Sequence, residues 1–243
     1  MSKHKNSLLS KIFRVKKTQI EMIKDRGFNI DDELHIFEHD VEMFKNEYIG
    51  KIPRMRETGF LSKKMDDDFL VTSLSQFYAN EKTGAGIYVH YMDKDANSKS
   101  ASGSQIKDII NILEGILGSE FDITSIIIIS QVPITAEEIE KLKSIPSFNI
   151  MTFLFEELVI NKTKHVLVPK HTLLNDSDAS VYMKNNNLSA NEFPQICFDD
   201  PIVKYYGGLP GQMFLINRKA PDIPTAIPTL PVRRIVSRFS VAE

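Results

Sequence analysis

The stretch that decides the fold of the C-terminal third of this chain runs from Glu156 to Gly211. It begins EELVINKTKHVLVPKH (156–171), continues through a polar segment, and ends FPQICFDDPIVKYYGGLPG (193–211). Proline disfavours the helical conformation for the residue before it, so Pro169 predicts an extended step at Val168. Asp200-Pro201 is typical of a helix start, with the acid as the cap and proline at the first helical position.

The end of this short helix is equally marked. Tyr205-Tyr206 close the helix, and Gly207-Gly208 predict its end, both with positive φ. Pro210-Gly211 predicts a turn that leads into an apolar strand, Met213–Ile216. Because none of these residues forms a reactive arrangement, the sequence predicts a small rigid module that presents one shape.

Two helices are predicted at the N-terminus. Apolar residues recur at helical spacing from Leu9 to Ile23, and Gly27 ends that helix. A second helix, capped by Asn29 or Asp31, is predicted from one continuous apolar stripe that ends at Tyr48. We expect the two helices to pack as an antiparallel pair.

An α/β sheet domain follows these helices. Strands are predicted at 69–74, 86–91, 126–129 and 148–151, and helices at 106–117, after Thr135, and at 153–158. The isoleucine run 126–129 is typical of a strand that is covered on both faces. Thr135 and Glu138 have the spacing of a capping box. The polar segment 93–103 is predicted to be an unpacked loop.

The remaining chain, from Ile160 onward, is predicted to be a small α+β domain. Val166–Val168 is predicted to be extended, and strands are predicted at 213–216 and 235–239. A helix is predicted from Asn175 to Lys184, capped by Asn175 and ended by the asparagine run 185–187, because asparagine tolerates the left-handed conformation. Four prolines between these two strands cannot sit inside a sheet ladder, so residues 219–231 are predicted to form an extended connection.

Composition excludes several classes of protein. The chain has 243 residues and a formal net charge of −2, whereas a broadly basic nucleic-acid binder carries a positive excess. A single cysteine excludes an internal disulfide and fits a reducing compartment. No apolar stretch approaches the roughly 20 residues that span a bilayer, so no membrane association is expected. The N-terminus lacks the pattern of a signal peptide.

The order of proline, glycine, histidine and capping residues in the C-terminal part resembles that of one family, the shared fifth subunit of eukaryotic nuclear RNA polymerases. The C-terminal domain of this family also occurs as a separate small subunit of archaeal polymerases. Its pattern H-x-L-V-P-x-H falls on 165–171, and D-P-x-x-x-Y-x-G falls on 200–207, followed by P-G and a strand that ends in arginine. FRVKKTQIEMIKDRGF (13–28) resembles the opening helix of the family, and SIIIISQVPITAEEIEKL (125–142) its central strand, loop and helix. Phe193 stands where the family has leucine, and the Pro-rich segment replaces a shorter turn.

The resemblance implies an α/β plus α+β protein: an N-terminal α/β jaw domain (1–159) with a restriction-endonuclease-like sheet, and a small C-terminal α+β assembly domain (160–243). It implies a non-catalytic subunit that docks on the largest polymerase subunit, contacts other polymerase subunits and helps to position downstream duplex DNA. No catalytic residue, metal or cofactor is expected. The implied interface residues are His165, Pro169, His171, Asp200, Pro201, Tyr205, Tyr206, Gly207, Gly211, Arg218 and Arg234.

The resemblance also implies that the loop before the Thr135 helix lies near DNA. Helix N-termini attract phosphate, so Thr135 and Ala136 are candidate DNA contacts. Glu137 and Glu138 oppose this, because they repel phosphate. Lys16 and Lys17 on the first helix form an alternative basic face.

Two other interpretations of the residues are weaker. A stand-alone metal-dependent nuclease could use Asp66–Asp68, but the adjacent Asp93 and Lys94 on the second strand would point to opposite faces of the sheet. A metal cluster of His165, His171, Cys197 and Asp199 matches no compact zinc spacing.

Location depends on the source of the polymerase. A composition rich in Lys, Asn and Ile, together with the altered tail, favours a virally encoded polymerase, with the protein in the virion or host cytoplasm. A cellular polymerase would place it in the nucleus.

Overall fold

The computed structural model describes residues 2–49, 74–92, 101, 103–117, 122–143, 145, 148–217 and 232–237. The chain divides into two compact units, Met1–Ile160 and Asn161–Glu243, called here the first and second units.

The helical entry of the first unit consists of α1 (Ser2–Asp25), a 3-10 helix (Asp31–Phe37) and α2 (Val41–Ile49). The prediction of α1 is confirmed, and Gly27 follows it with a φ of 86°. The prediction of one continuous second helix is wrong, because the chain breaks at 38–40. Asp40 starts α2 afresh, since its Oδ1 accepts from the N–H of Met43 at 2.8 Å.

A four-stranded sheet forms the centre of the first unit, in the order β1 (Gln76–Ala79), β2 (Gly86–Met92), β3 (Ile123–Ser130) and β4 (Asn149–Leu154). β1 is antiparallel to β2, and β2, β3 and β4 are mutually parallel. The helical connections that parallel strands need are α3 (Gly103–Leu117) and α4 (Ala136–Lys143), and α5 (Phe155–Leu158) follows β4.

Helices cover both faces of this sheet. Ile126 and Ile128 belong to a core cluster with residues of α3 and α4. Residues of α1 and α5 lie against the other face, where Gln19 accepts a hydrogen bond from Tyr91 and Tyr91 meets Phe155 edge-on. All of Ile126–Ile129 are fully buried, which confirms the prediction of a strand covered on both faces.

Three predictions for this unit need correction or lie outside the described residues. The strand predicted at 69–74 falls outside them except for Leu74, which is in a 3-10 turn, and the described edge strand is 76–79. Asp66–Asp68 also lie outside. Most of the loop 93–103 lies outside too, but Ala101 is buried and its N–H donates to the carbonyl of Pro133, so this end of the segment is packed.

A buried ion pair joins α1 to the 3-10 helix. The ammonium of Lys16 lies 2.7 Å from Glu33, and both side chains are nearly inaccessible to water. Lys16 also donates to Gln19 at 2.9 Å, while Tyr78 donates to Glu33. Burial lowers the pKa of Lys16, and Glu33 acts in the opposite direction. Lys16 is therefore a core residue, and the prediction that it belongs to a surface basic face is wrong.

The second unit contains a four-stranded mixed sheet in the order β5 (Lys170–Leu173), β7 (Met213–Asn217), β8 (Val232–Val236) and β6 (Gln195–Cys197). β6 is parallel to β8, and the other pairs are antiparallel. Its helices are α6 (Asp176–Asn186) and α7 (Pro201–Tyr206). Because β7 alternates, Phe214 packs in a cluster with α7 and Met213 packs in another with α6.

The predicted helix from Asn175 is confirmed, with Asn175 as its cap and Asn187 in the left-handed conformation at its end. The prediction that Val166–Val168 is extended is wrong, because the N–H of Val168 donates to the carbonyl of His165 at 2.9 Å and closes a turn. The last described strand begins three residues before the predicted Ile235. Strands β5 and β6 were not predicted, and residues 219–231 lie outside the described part.

Candidate subunit interface

The start of α7 is fixed by its own sequence. Asp200 Oδ1 accepts from the N–H of Ile202 at 2.8 Å, and Pro201 occupies the first helical position. Asp200 itself donates its N–H to the carbonyl of Cys197, which ties the cap to the end of β6. The predicted cap is confirmed, and it sets the orientation of α7 with two local hydrogen bonds.

We expect Asp200→Ala to destabilise α7 by about 1 kcal/mol, because one N–H at the helix start loses its acceptor. Hydrogen exchange of the α7 amides in the full-length protein measures this cost. Asp200→Asn is the matched control, since its amide oxygen can still accept and exchange should stay close to wild type. Equal protection in the alanine and asparagine variants would show that the cap contributes nothing.

The two glycines after α7 serve different purposes. Gly207 has a φ of 70° and ends the helix as predicted. Gly208 does not have positive φ, so that part of the prediction is wrong. It is required for space: an added Cβ would lie 2.6 Å from Ile235 Cδ1 and 3.1 Å from Phe214 Cε2. Gly208 therefore lets α7 approach the sheet closely.

The paired tyrosines mainly build the module. Tyr205 is buried and its Oη accepts from Asn161 Nδ2 at 3.1 Å. Tyr206 is half-buried and lies with its ring centroid 5.9 Å from that of Phe214. Asn161, which sequence reasoning missed, also caps the 3-10 helix Lys162–Lys164, so it connects the two motif segments.

The turn at 165–168 presents the two most exposed large apolar side chains among the described residues. Val166 is 91% exposed and Leu167 is 82% exposed. His165 holds this turn in shape, because its Nδ1 accepts from the N–H of Leu167 and its carbonyl accepts from Val168. Sequence reasoning missed this feature, since V-L-V has the composition of a strand.

The histidine that ends the first motif is structural. His171 lies in β5, is largely buried, and packs edge-on against Phe214 at 5.9 Å. Its Nδ1 hydrogen-bonds the carbonyl of Pro169 at 2.7 Å, so the ring nitrogen carries the proton and donates. Pro169 and His171 thus fix the step from the turn into β5.

The remaining predicted interface residues of the second unit are distant in sequence from the turn at 165–168. Gly211 is exposed, has a φ of 95°, and donates its N–H to the carbonyl of Ile235. Arg234 lies in β8, half-buried, and its N–H donates to the carbonyl of Pro194. Arg218 lies outside the described residues.

In the first unit the predicted capping box is confirmed. Thr135 donates its N–H to Glu138 Oε2 at 3.1 Å, and Glu138 donates its N–H to Thr135 Oγ1 at 3.4 Å. Thr135 and Ala136 are exposed, but the Glu138 carboxylate already occupies the helix start. Lys17 donates to the carbonyls of Phe37 and His39, so its charge supports the end of the 3-10 helix.

Comparison with known proteins defines the class to which this module belongs. The model of the family "RNA polymerase Rpb5, N-terminal domain" matches residues 6–111, and that of "RNA polymerase Rpb5, C-terminal domain" matches residues 160–227. These describe an accessory subunit of a multisubunit RNA polymerase, rather than the catalytic subunit. The chain belongs to the Rpb5 family of RNA polymerase subunits.

Curated relatives agree along most of the chain. It is 25% identical over 211 residues to "DNA-directed RNA polymerases IV and V subunit 5B" of Arabidopsis thaliana, covering 86% of this chain and 84% of that protein. It is 27% identical over 210 residues to "DNA-directed RNA polymerases I, II, and III subunit RPABC1" of Caenorhabditis elegans, covering 86% and 89%. The prediction of a polymerase subunit is confirmed.

The nuclease hypothesis finds no support in these relatives. The described strands β1 to β4 contain no aspartate or glutamate, and the aspartates of that hypothesis, Asp66–Asp68, lie outside the described residues. The relatives come from a plant and a nematode, so they do not support the preference for a viral source. No helix in the described part of the chain has the length and apolar character to cross a membrane.

Proposed function

We propose that the second unit anchors this subunit to the largest polymerase subunit and that the first unit serves as a jaw beside downstream duplex DNA. The observation that carries the anchoring proposal is the hydrogen-bonded turn at 165–168, which holds Val166 and Leu167 almost fully in water. Neighbouring exposed apolar side chains on a fixed turn are suited to burial in a partner, because little conformational entropy is lost on binding.

The conformation of this surface is set before any partner arrives. Asn161 joins the 3-10 helix before the turn to Tyr205 of α7, and Asp200 and Gly207 fix the two ends of α7. The turn and α7 therefore form one preorganised patch, called here the docking patch. Preorganisation is the physical basis for assigning binding to this unit.

The jaw proposal is carried by the family resemblance, and the likeness to restriction-endonuclease sheets remains a prediction. Lys16 is in the core and Lys17 is engaged with backbone carbonyls. Two acids occupy the first turn of the Thr135 helix. These charges favour a positional role for the jaw, with DNA held mainly by partner subunits. We propose that the protein is located where its polymerase works: the nucleus for a cellular enzyme, the virion or host cytoplasm for a viral one.

Replacing both exposed apolar side chains with acids, Val166→Asp/Leu167→Asp, tests the docking patch. We expect association with the polymerase core to fall by at least about tenfold, because two carboxylates would have to be desolvated at the contact. The measurement is co-purification of the core with tagged full-length protein, with circular dichroism as the check on folding.

Val181→Asp is the matched control, since Val181 is an exposed apolar residue of α6 in the same unit. It should leave association unchanged. If Val166→Asp/Leu167→Asp still co-purified with the polymerase core at the wild-type level, the docking patch would be excluded as the anchor. If only Val181→Asp failed to co-purify with the polymerase core, the contact would be assigned to α6 instead.

A further inference from the structure

We propose that the first unit contains a binding site for a divalent transition-metal ion, zinc in the first place, formed by His35, His39 and Glu47. One ligand atom from each residue lies within 4.8 Å of the other two. His35 Nε2 lies 3.0 Å from Glu47 Oε1, and His39 Nδ1 lies 3.3 Å from Glu47 Oε2. This inference is independent of the docking proposal.

The backbone brings these side chains together at the break between the 3-10 helix and α2. His35 lies in the last turn of the 3-10 helix, His39 lies two residues beyond its end, and Glu47 lies in α2. Two features hold the break in shape. Asp40 caps α2, and the Lys17 ammonium binds the carbonyl of His39 at 3.3 Å. The break that interrupts the predicted helix thus turns two histidines toward one glutamate.

The donor set selects the class of ion. Two imidazole nitrogens and one carboxylate oxygen suit zinc and related transition metals, whereas magnesium and calcium prefer oxygen ligands only. Ligand atoms of a tetrahedral zinc site lie about 3.4 Å apart, given bonds of about 2.0–2.1 Å. Each histidine nitrogen is near this distance from one of the two Glu47 carboxylate oxygens, and the three ligand atoms, one per residue, lie within 4.8 Å of one another. The fourth position would be taken by water.

The local environment agrees with an ion. His39 Nδ1 is shielded from water and makes no hydrogen bond within the described residues, although Glu47 is 3.3 Å away. Its side chain is 16% exposed, that of Glu47 is 21% exposed, and that of His35 is 42% exposed. An ion could therefore enter from the exposed His35 side. Bound metal would cross-link the 3-10 helix to α2.

The test is calorimetric titration of untagged full-length protein, first stripped of metal by a chelator, with Zn²⁺. We expect one ion per chain, a rise in Tm on binding, and a visible absorption band when Co²⁺ replaces Zn²⁺. Mg²⁺ should produce none of these. Glu47→Gln should weaken Zn²⁺ binding at least about tenfold, because a charged ligand is lost.

Glu42→Gln is the matched control, since Glu42 is an exposed carboxylate of the same helix outside the cluster. It should bind as wild type does. Should Glu47→Gln unfold by circular dichroism, the half-exposed His35→Gln takes its place with the same expected loss. The proposal is overturned if the wild type binds no Zn²⁺, or if Zn²⁺ binding survives unchanged in a folded cluster variant.

Discussion

Lys16→Met is expected to destabilise the first unit by about 3–5 kcal/mol, because removal of one partner leaves the other charge buried. Among the described residues, Glu33 would keep only its side-chain hydrogen bond from Tyr78, in a region where both Tyr78 and Tyr91 are already buried. Native domains are stable by about 5–15 kcal/mol, so this single change removes a large share. Denaturant unfolding, followed by circular dichroism, measures the loss.

Two companion variants identify the cause. Lys24→Met alters an exposed lysine of the same helix and should cost less than about 1 kcal/mol. Lys16→Met/Glu33→Gln removes the unpaired charge and should recover more than about 1 kcal/mol relative to the single variant. If the double variant is as unstable as Lys16→Met, lost packing of the lysine stem explains the effect instead.

Phe214→Ala is expected to destabilise the second unit by about 3–5 kcal/mol, the usual range for a fully buried phenylalanine. Phe214 lies in β7 and contacts both motif segments: its ring meets His171 and Tyr206, each with centroids 5.9 Å apart. Gly208 packs so near the Phe214 ring that an added Cβ would lie 3.1 Å from Phe214 Cε2. The cavity would therefore loosen α7 and β5 together, and the docking patch with them.

Hydrogen exchange of full-length protein gives the readout, since it reports each unit separately. Amides of β5, α7 and β7 should lose protection, while those of β2 and β3 should not. Val181→Ala, an exposed change in the same unit, should leave exchange within about 0.5 kcal/mol of wild type. Uniform loss of protection in both units would contradict a defect confined to the second. Co-purification of the polymerase core should fall in parallel with the loss of protection.

Local rules predict the features whose partners are close in sequence. The caps at Asp200 and Asn175, the box at Thr135 and Glu138, and the left-handed Gly207 are all predicted and are all present. Each depends on hydrogen bonds between residues two to four positions apart, so the sequence contains both partners. The family is recognisable for the same reason, because its pattern consists of such residues.

The predictions are wrong where a local pattern competes with distant contacts. Charge alone places Lys16 on the surface, although it lies four residues after Ile12 and four before Ile20, on the buried side of α1. That four-residue spacing is the feature of the sequence that could have predicted the burial of Lys16. Composition alone makes Val166–Val168 extended, but His165 closes it into a turn.

The sequence alone determined the family, the organisation into two parts, and the helix caps and turns at the two ends of α7. Caps and turns depend on residues that are close in sequence. Only the tertiary structure decided that Lys16 pairs with Glu33, that Gly208 is needed for space, and that Val166 and Leu167 stand exposed. It also brought His35 and His39 to Glu47. These outcomes depend on which elements pack together, and burial of a side chain is a property of its neighbours in space.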